Sequence, residues 1–152
     1  MSAPGEAPGE RGFSPEVMLV RLGIMRDLLE DLDAIGDATV EALQEDRVVL
    51  RAVERILTQL VDTASAANAH AATTLGQLSP RDYRETFDAA AVVGLIGRDQ
   101  VAALKESVRV HDVLMHAGNV TDLAMVAAVI PLVRGDYATY VRTVAAWLQA
   151  RG

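Results

Sequence analysis

The chain has 152 residues, of which 51% are hydrophobic, and it contains no cysteine. This length suits one domain with a buried core, and the lack of cysteine excludes disulfides and thiol chemistry, as expected in a reducing cytosol. The net charge of −7 argues against broad, sequence-independent binding to nucleic acid but leaves room for a small basic site. We expect a soluble cytoplasmic protein without a membrane partner, because no apolar run approaches the ~20 residues of a membrane span.

Residues 1–12 form a segment of their own. Ala-Pro-Gly-Glu occurs at residues 3–6 and again at 7–10, and the segment has no apolar run. Such a composition cannot bury apolar surface, so it predicts a disordered tail. Residues 13–152 are expected to form a single helical domain.

The sequence pattern in the first part of this domain predicts two helices and the start of a third. Ser14 is the expected N-cap of the first helix, Pro15 its first residue and Gly36 its stop. Residues 37–45 predict a shorter helix. Two apolar stripes at helical spacing define the expected buried faces: Val17, Ile24, Leu28, Leu32 and Ile35 in the first helix, and Val49, Val53, Ile56, Leu60 and Ala67 in the third.

The third helix should be the longest, from Asp46 to about Leu75. Residues 63–69 all have small side chains, so a neighbouring helix can approach closely and this half should be central. His70, near its end, is typical of a capping or buried, hydrogen-bonded histidine rather than a catalytic one.

Three further helices follow. Ser79-Pro80 should open one from Arg81 to about Val93, with Tyr83, Phe87 and Val92 as apolar contacts. Gly94 and Gly97 should bracket a tight turn, and Asp99 should cap the next helix, which Gly118 should end. Thr121 or Asp122 should cap the last, which runs to about Gln149 with a kink or break at Pro131. With no strand pattern, we predict an all-α antiparallel bundle of four to six helices.

Residues 109–119 hold two of the three histidines. On a helical wheel, Lys105, Glu106, Arg109, Asp112 and His116 share a polar arc, while Val101, Leu104, Val108, Leu114, Met115 and His111 lie on the other face. Asp112 is three residues from Arg109 and four from His116, which is contact spacing on a helix. The purely structural interpretation is a solvated row of ion pairs that ends in a helix-capping histidine.

Several kinds of site lack their residue pattern. The sequence has no Gly-rich phosphate loop, no His-Glu-x-x-His and no Cys/His metal spacing. His111 and His116 point about 140° apart around a helix, which is poor for shared metal ligation. Ser107 has no evident activating base. We therefore predict neither a metal nor a cofactor.

The order of features resembles the HepT-like toxins, a branch of the all-helical HEPN domains. The resemblance rests on a long helix reaching Ala69-His70, on residues 79–87 leading into Gly94-Leu95-Ile96, on the histidine-bearing helix, and on Val129-Ile130-Pro131 with Tyr137 and Tyr140. It covers nearly everything after residue 12. It implies a homodimeric bundle with a ribonuclease site at the dimer interface.

The family motif is Arg-Asn, three residues, His, then Tyr two residues later. The resemblance implies that Arg and His cleave RNA without metal and that a minimal nucleotidyltransferase antitoxin attaches AMP to the Tyr. Here His116 keeps the His, whereas His111, Asp112 and Gly118 replace the Arg, Asn and Tyr. Arg109 could serve at the longer spacing that HEPN domains accept, although it points about 160° away from position 111.

These residues lead to the following predictions. His116, His111, Asp112 and Arg109 are the candidate catalytic residues of a toxin-type subunit whose RNA cleavage is weakened, because Asp112 would repel phosphate. Its partners would be a second copy of the chain, a nucleotidyltransferase-type antitoxin and RNA. The alternatives are a non-enzymatic dimeric module that docks a protein partner, and a bundle that binds a small ligand or nucleotide between His111 and His116.

Overall fold

The computed structural model describes residues 12–117 and 121–151, and six helices account for most of them. They are α1 (Pro15–Ile35), α2 (Val40–Glu45), α3 (Arg47–Gly76), α4 (Tyr83–Val92), α5 (Arg98–His116) and α6 (Leu123–Ala150). Those two ranges contain no strand, so the predicted all-α class and helix number are confirmed. No helix within them is long and apolar enough to cross a bilayer. Of the predicted tail, only Gly12 lies among the described residues.

The long helix α3 is the centre of the bundle. It packs against each of the other five helices. Its small-residue half allows this, since Ala64 and Ala67 are 0% and 1% exposed and Asn68 is fully buried. The central position predicted for residues 63–69 is confirmed.

Three helices begin close to their predicted starts and have side-chain caps, and Asp46, predicted as the first residue of α3, is its cap. Ser14 Oγ accepts from the Val17 amide at 3.2 Å, and Asp46 Oδ1 accepts from two amides of the first turn of α3, at 3.1 Å each. Of the two candidates for α6, Asp122 is the cap. Gly36, with φ of 74°, ends α1 as predicted, because this left-handed conformation favours glycine.

Two predicted starts are wrong. Helix α4 begins at Tyr83 rather than Arg81, because Asp82 Oδ1 accepts from the Glu85 amide at 2.9 Å and thereby caps the helix. Helix α5 is capped at Gly97 rather than Asp99. The Gly97 amide donates to the side chain of Gln100 at 3.1 Å, which leaves Asp99 inside the first turn.

Several predicted buried positions are also wrong. In α1, Val17 and Ile24 are 39% and 38% exposed, and the buried stripe consists of Met18, Leu22, Met25, Leu28 and Leu32. The pattern omitted the two methionines, whose flexible side chains fill core space. Val92 and Met115, predicted as apolar contacts, are each 61% exposed.

Pro131 does not break α6, which is continuous from Leu123 to Ala150. Proline removes one backbone donor and normally disrupts a helix interior. Its neighbours Ile130 and Val133 are 0% and 5% exposed, so packing on both sides of the proline holds the segment in place. The predicted break is therefore wrong.

Buried hydroxyl groups tie α6 to its neighbours. Tyr140 Oη donates to Asn68 Oδ1 of α3 at 2.7 Å, and Tyr137 Oη and Ser107 Oγ of α5 share a hydrogen bond of 2.7 Å. Both tyrosines are 0% exposed and belong to the core. Because burial disfavours a phenolate, the pKa of both hydroxyls is raised well above the ordinary value of 10.

His70 holds the start of α1 against the end of α3. Its Nε2 accepts from the Ser14 amide at 3.0 Å, and its ring stacks on Phe13 with centroids 5.4 Å apart. The Phe13 ring also meets Trp147 edge-on, and the Arg151 guanidinium lies 4.7 Å from the Trp147 ring. Partial burial lowers the pKa of His70. The predicted hydrogen bonding of His70 is confirmed, and its side chain is half-buried.

Candidate functional site

A surface pocket of about 500 Å³ lies where α3, the start of α4 and the second half of α5 meet. Helix α3 contributes one carboxylate, α4 an aromatic ring and a guanidinium, and α5 an imidazole, a carboxylate and apolar side chains. Its lining residues are Asp62, Asp82, Tyr83, Arg84, Val108, His111, Asp112 and Met115. Two of the four predicted site residues, His111 and Asp112, therefore lie in it.

His111 is the most buried polar group of this pocket, at 8% exposed. Its Nε2 lies 2.8 Å from Asp62 Oδ1, and its Nδ1 lies 3.1 Å from Asp112 Oδ1. An ionised carboxylate only accepts hydrogen bonds, so both contacts are made at once only by an imidazolium that donates from both nitrogens. Both ring nitrogens of His111 thus lie against a carboxylate, one from α3 and one from α5.

Tyr83 covers one side of His111. The two ring centroids are 5.3 Å apart with the planes tilted by 55°, and Tyr83 remains 38% exposed. Partial burial, followed by the negative charge of Asp62, raises the pKa of its hydroxyl. Tyr83 was predicted as an apolar contact, and the structure gives it an accessible ring face at the pocket.

The charges of the pocket are unbalanced. Three carboxylates, from Asp62, Asp82 and Asp112, face one guanidinium and one histidine. The Arg84 guanidinium donates to the backbone carbonyl of Lys105 at 3.4 Å, and among residues 12–117 and 121–151 it has no ion pair. A phosphate that approached this pocket would meet more negative than positive charge.

His116 and Arg109 do not line the pocket. His116 is exposed in the last turn of α5, and its Nδ1 lies 2.7 Å from the carbonyl oxygen of Asp112. A carbonyl can only accept, so Nδ1 carries the proton. In the neutral ring, the lone pair is then on Nε2, which has no hydrogen-bond partner among the described residues. The predicted cap at Gly118 lies outside those residues.

The predicted ion-pair row through Asp112 is wrong. Arg109, 51% exposed at its side chain, pairs instead with Glu106, with Nε and Oε1 2.7 Å apart. Glu106 is three residues from Arg109, just as Asp112 is, and the carboxylate of Asp112 is turned towards His111. Asp112 therefore contacts both histidines, His111 through its carboxylate and His116 through its backbone carbonyl.

Sequence reasoning missed Asp62, the closest partner of His111. One signal could have identified it, since Asp62 is the only charged residue between Arg55 and Arg81. A lone charge in the small-residue half of a central helix requires a partner. No group of three or more His, Cys, Asp or Glu within the described ranges is arranged to hold a metal ion.

Comparison with solved structures shows where this fold occurs. A tri-AMPylated HEPN toxin from Shewanella oneidensis, in complex with an MNT antitoxin, aligns with a TM-score of 0.77 at 16% identity, over 88% of this chain and 99% of that one. YutE, a cytosolic protein of unknown function from Bacillus subtilis, aligns with a TM-score of 0.78 at 12% identity, over 92% and 94%. At these identities the likeness establishes the fold alone.

A toxin–antitoxin structure with AMP-PNP aligns similarly, with a TM-score of 0.76 at 16% identity over 86% of this chain and 98% of that one. No curated protein matches the sequence. The family model described as Ribonuclease HepT-like matches residues 25–134, which include all but the first ten residues of α1, the pocket, both histidines of α5 and Pro131. The chain therefore belongs to the HepT-like family.

Proposed function

We propose that this chain is the toxin-type subunit of a toxin–antitoxin pair and that it cleaves RNA without metal, at a reduced level. The observation that carries the proposal is the setting of His116. Its Nδ1 proton is directed to the Asp112 carbonyl, and the ring stands exposed at the end of α5. A neutral imidazole oriented in this way can accept a proton at Nε2, as a general base must.

The chemistry needs a base, an acid and a cation. In RNA cleavage the 2′-oxygen bonds to the neighbouring phosphorus as its proton passes to the base, and the bond from phosphorus to the 5′-oxygen breaks as that oxygen gains a proton. His116 Nε2 is the base in this proposal. His111, at the position of the family arginine, is the acid, because its imidazolium can give a proton to the leaving 5′-oxygen, and it also supplies positive charge, with Arg109 as the more distant cation.

The charges of the pocket explain why RNA cleavage is proposed to be weak. His111 is already neutralised by Asp62 and Asp112, at 2.8 and 3.1 Å, so little of its charge remains for a phosphate. Asp112 stands where the family has a neutral asparagine. Arg109 is likewise paired with Glu106. Each cation of the proposed site is therefore offset by a carboxylate.

Exposed apolar side chains on α5 and α6 support a homodimer. Val113, Met115 and Leu132 are 37%, 61% and 61% exposed. Covering such side chains in a second copy would remove apolar surface from water, at roughly 25 cal/mol per Å². Light scattering at micromolar concentration should give twice the monomer mass of 16.2 kDa, and a monomer mass would contradict the proposal.

The proposed partner is a minimal nucleotidyltransferase. The Shewanella toxin of the same fold is AMPylated and complexed with an MNT antitoxin. This chain has Gly118 in place of the family tyrosine, so its control by such a partner would not use that position. A weakened nuclease also needs less stringent silencing.

Induced expression in a heterologous bacterium tests the nuclease. Wild type should slow growth and reduce RNA integrity, and His116→Ala should abolish both effects. His70→Gln is the matched control, because it removes the histidine that lies outside the site. Purified protein should cleave RNA equally well in EDTA. Intact RNA with the wild type, or cleavage that survives His116→Ala, would contradict the proposal.

A non-enzymatic module that docks a protein partner is the second candidate. The specific observation in its favour is the excess of carboxylates at the pocket, which suits a cationic protein segment better than a phosphate. This candidate predicts intact RNA in every strain and co-purification with a partner whose binding is lost in Asp62→Asn/Asp112→Asn.

A further inference from the structure

The pocket at His111 combines an open aromatic face, hydrogen-bond acceptors and apolar walls. We propose that it binds one guanine base of the RNA strand, so that the chain selects a guanine next to the bond it cleaves. This inference rests on the proposed function, because it takes RNA as the ligand. It also explains why a site for RNA contains carboxylates.

The dimensions and walls suit a planar base. The pocket volume of about 500 Å³ lies within the range of small-ligand sites, and Val108 and Met115 give it apolar sides. Tyr83 is 38% exposed and presents a ring on which a base can stack. Unpaired RNA bases are commonly held on aromatic side chains in this way.

The carboxylate of Asp112 determines which base fits. Its side chain is 60% exposed, its Oδ1 contacts His111, and its Oδ2 has no hydrogen-bond partner within residues 12–117 and 121–151. A carboxylate offers acceptors only. Guanine alone among the four RNA bases has two adjacent donors, N1–H and the N2 amino group, on its Watson–Crick edge. Adenine, cytosine and uracil each place a donor next to an acceptor, which a carboxylate would repel.

A neutral base does not depend on the net charge of the pocket. Asp62 and Asp112 are already paired with His111, so what Asp112 offers a ligand is its remaining oxygen, which accepts from an N–H donor. His116 follows Asp112 by four residues, which is contact spacing on a helix, so a base held by the Asp112 carboxylate leaves its ribose and phosphate near the exposed imidazole.

The test measures binding separately from cleavage. Fluorescence anisotropy would compare three labelled oligoadenylates that carry guanine, inosine or adenine at the central position, all with 2′-O-methyl riboses so that no strand can be cleaved. Inosine lacks only the N2 amino group. We expect guanine to bind about tenfold more tightly than inosine, as for one lost hydrogen bond to a charged group, and more tightly still than adenine.

Two variants and a control assign the preference to the pocket. Asp112→Asn should bring the ratio of guanine to inosine affinity close to one. Tyr83→Leu should weaken all three strands about tenfold, because stacking is insensitive to base identity. Asp27→Asn, which removes an exposed carboxylate of α1, should leave every affinity unchanged.

Equal binding of the three strands by the wild type would overturn the inference, as would a guanine preference that survives Asp112→Asn. Displacement of the guanine strand by a hexa-arginine peptide, dependent on Asp112, would assign the pocket to a basic protein partner instead. Cleavage of RNA without base preference would support the proposed nuclease and contradict the guanine site. A preference for guanine in a protein that does not cleave RNA would support the guanine site and contradict the proposed nuclease.

Discussion

His70 lies on α3 and His111 contacts it, and both side chains are hydrogen-bonded, yet their hydrogen-bond partners are of opposite kinds. His70 accepts a backbone N–H at Nε2, which only an unprotonated nitrogen can do. His111 faces a carboxylate at each nitrogen, which only the imidazolium can satisfy as donor to both. The first holds chain segments together, whereas the second lies between two carboxylates at a pocket.

The difference shows that burial alone does not separate a histidine with structural contacts from a candidate site histidine. At His70 the surroundings are aromatic, and the one hydrogen bond fixes the start of a helix. At His111 they are ionic and open to a cavity. The following predictions separate the two regions, beginning with the largest effect.

Restoring the family residues at the pocket should have the largest effect. His111→Arg/Asp112→Asn replaces a neutralised cation by a permanent one and removes a carboxylate, so RNA cleavage should rise by about 100-fold. The measurement is the initial rate on a labelled RNA in EDTA. Adding His116→Ala to this variant should abolish the gain, and an unchanged rate in the double variant would refute the account of the weakened site.

Removing the structural histidine should act on stability instead. In His70→Ala the Ser14 amide loses its acceptor and Phe13 loses its stacking partner, so the free energy of unfolding should fall by about 1–2 kcal/mol. Urea denaturation measures this change. His116→Ala, at an exposed position, should shift it by less than about 0.5 kcal/mol. An equal loss of unfolding free energy in the two variants would contradict the assignment of His70, rather than His116, to stability.

The pH dependence of stability should come from the His70 region. Its pKa in the folded protein lies below the ordinary 6.5, so below pH 6.5 the unfolded chain binds the proton more readily than the folded one. The contribution of His70 is therefore complete above pH 6.5 and is lost as the pH falls through the lowered value. The urea midpoint of the wild type should approach that of His70→Gln between about pH 7.5 and pH 5.5. A constant difference would contradict it.

Removing either of the two carboxylates at His111 should have the smallest effect on stability, and the two losses should differ slightly. Asp62 is nearer and less exposed than Asp112, with side chains 46% and 60% exposed. Because solvent screens both, Asp62→Ala should cost under about 1 kcal/mol and Asp112→Ala under about 0.5 kcal/mol. Thermal unfolding at low and high salt measures both costs, and a larger loss for Asp112→Ala would reverse the assignment.

The sequence predicted most of the fold because helix signals are local. Ser14, Gly36 and Asp46 act on the backbone within a few residues of themselves, and each does what its position indicated. The errors occur where two local signals compete. Asp82 caps α4 in preference to Ser79, and Gly97 caps α5 in preference to Asp99. At Pro131, packing of the neighbouring residues outweighs the local rule.

The candidate site was predictable only in part because its contacts join distant segments. The wheel placed His111 on the apolar face, and the structure buries it there. Its partner Asp62 lies 49 residues earlier, and Tyr83 comes from a third helix. Spacing within one helix cannot reveal such pairs. It predicts Arg109 and His116 as the side-chain neighbours of Asp112, whereas the Asp112 carboxylate faces His111.

The hydrogen bond between Tyr140 and Asn68 constrains how this core can diverge among related proteins. Tyr140→Phe would leave Asn68 Oδ1 without its donor, and Asn68→Leu would leave the Tyr140 hydroxyl only its longer contact of 3.4 Å to the Ala64 carbonyl, so either change costs about 1–3 kcal/mol, whereas replacing both by apolar residues of similar shape costs less. Neither position can therefore drift independently of the other. Relatives of this chain should either keep the pair or have lost both members, and a sequence with only one of them must hold that group by another contact.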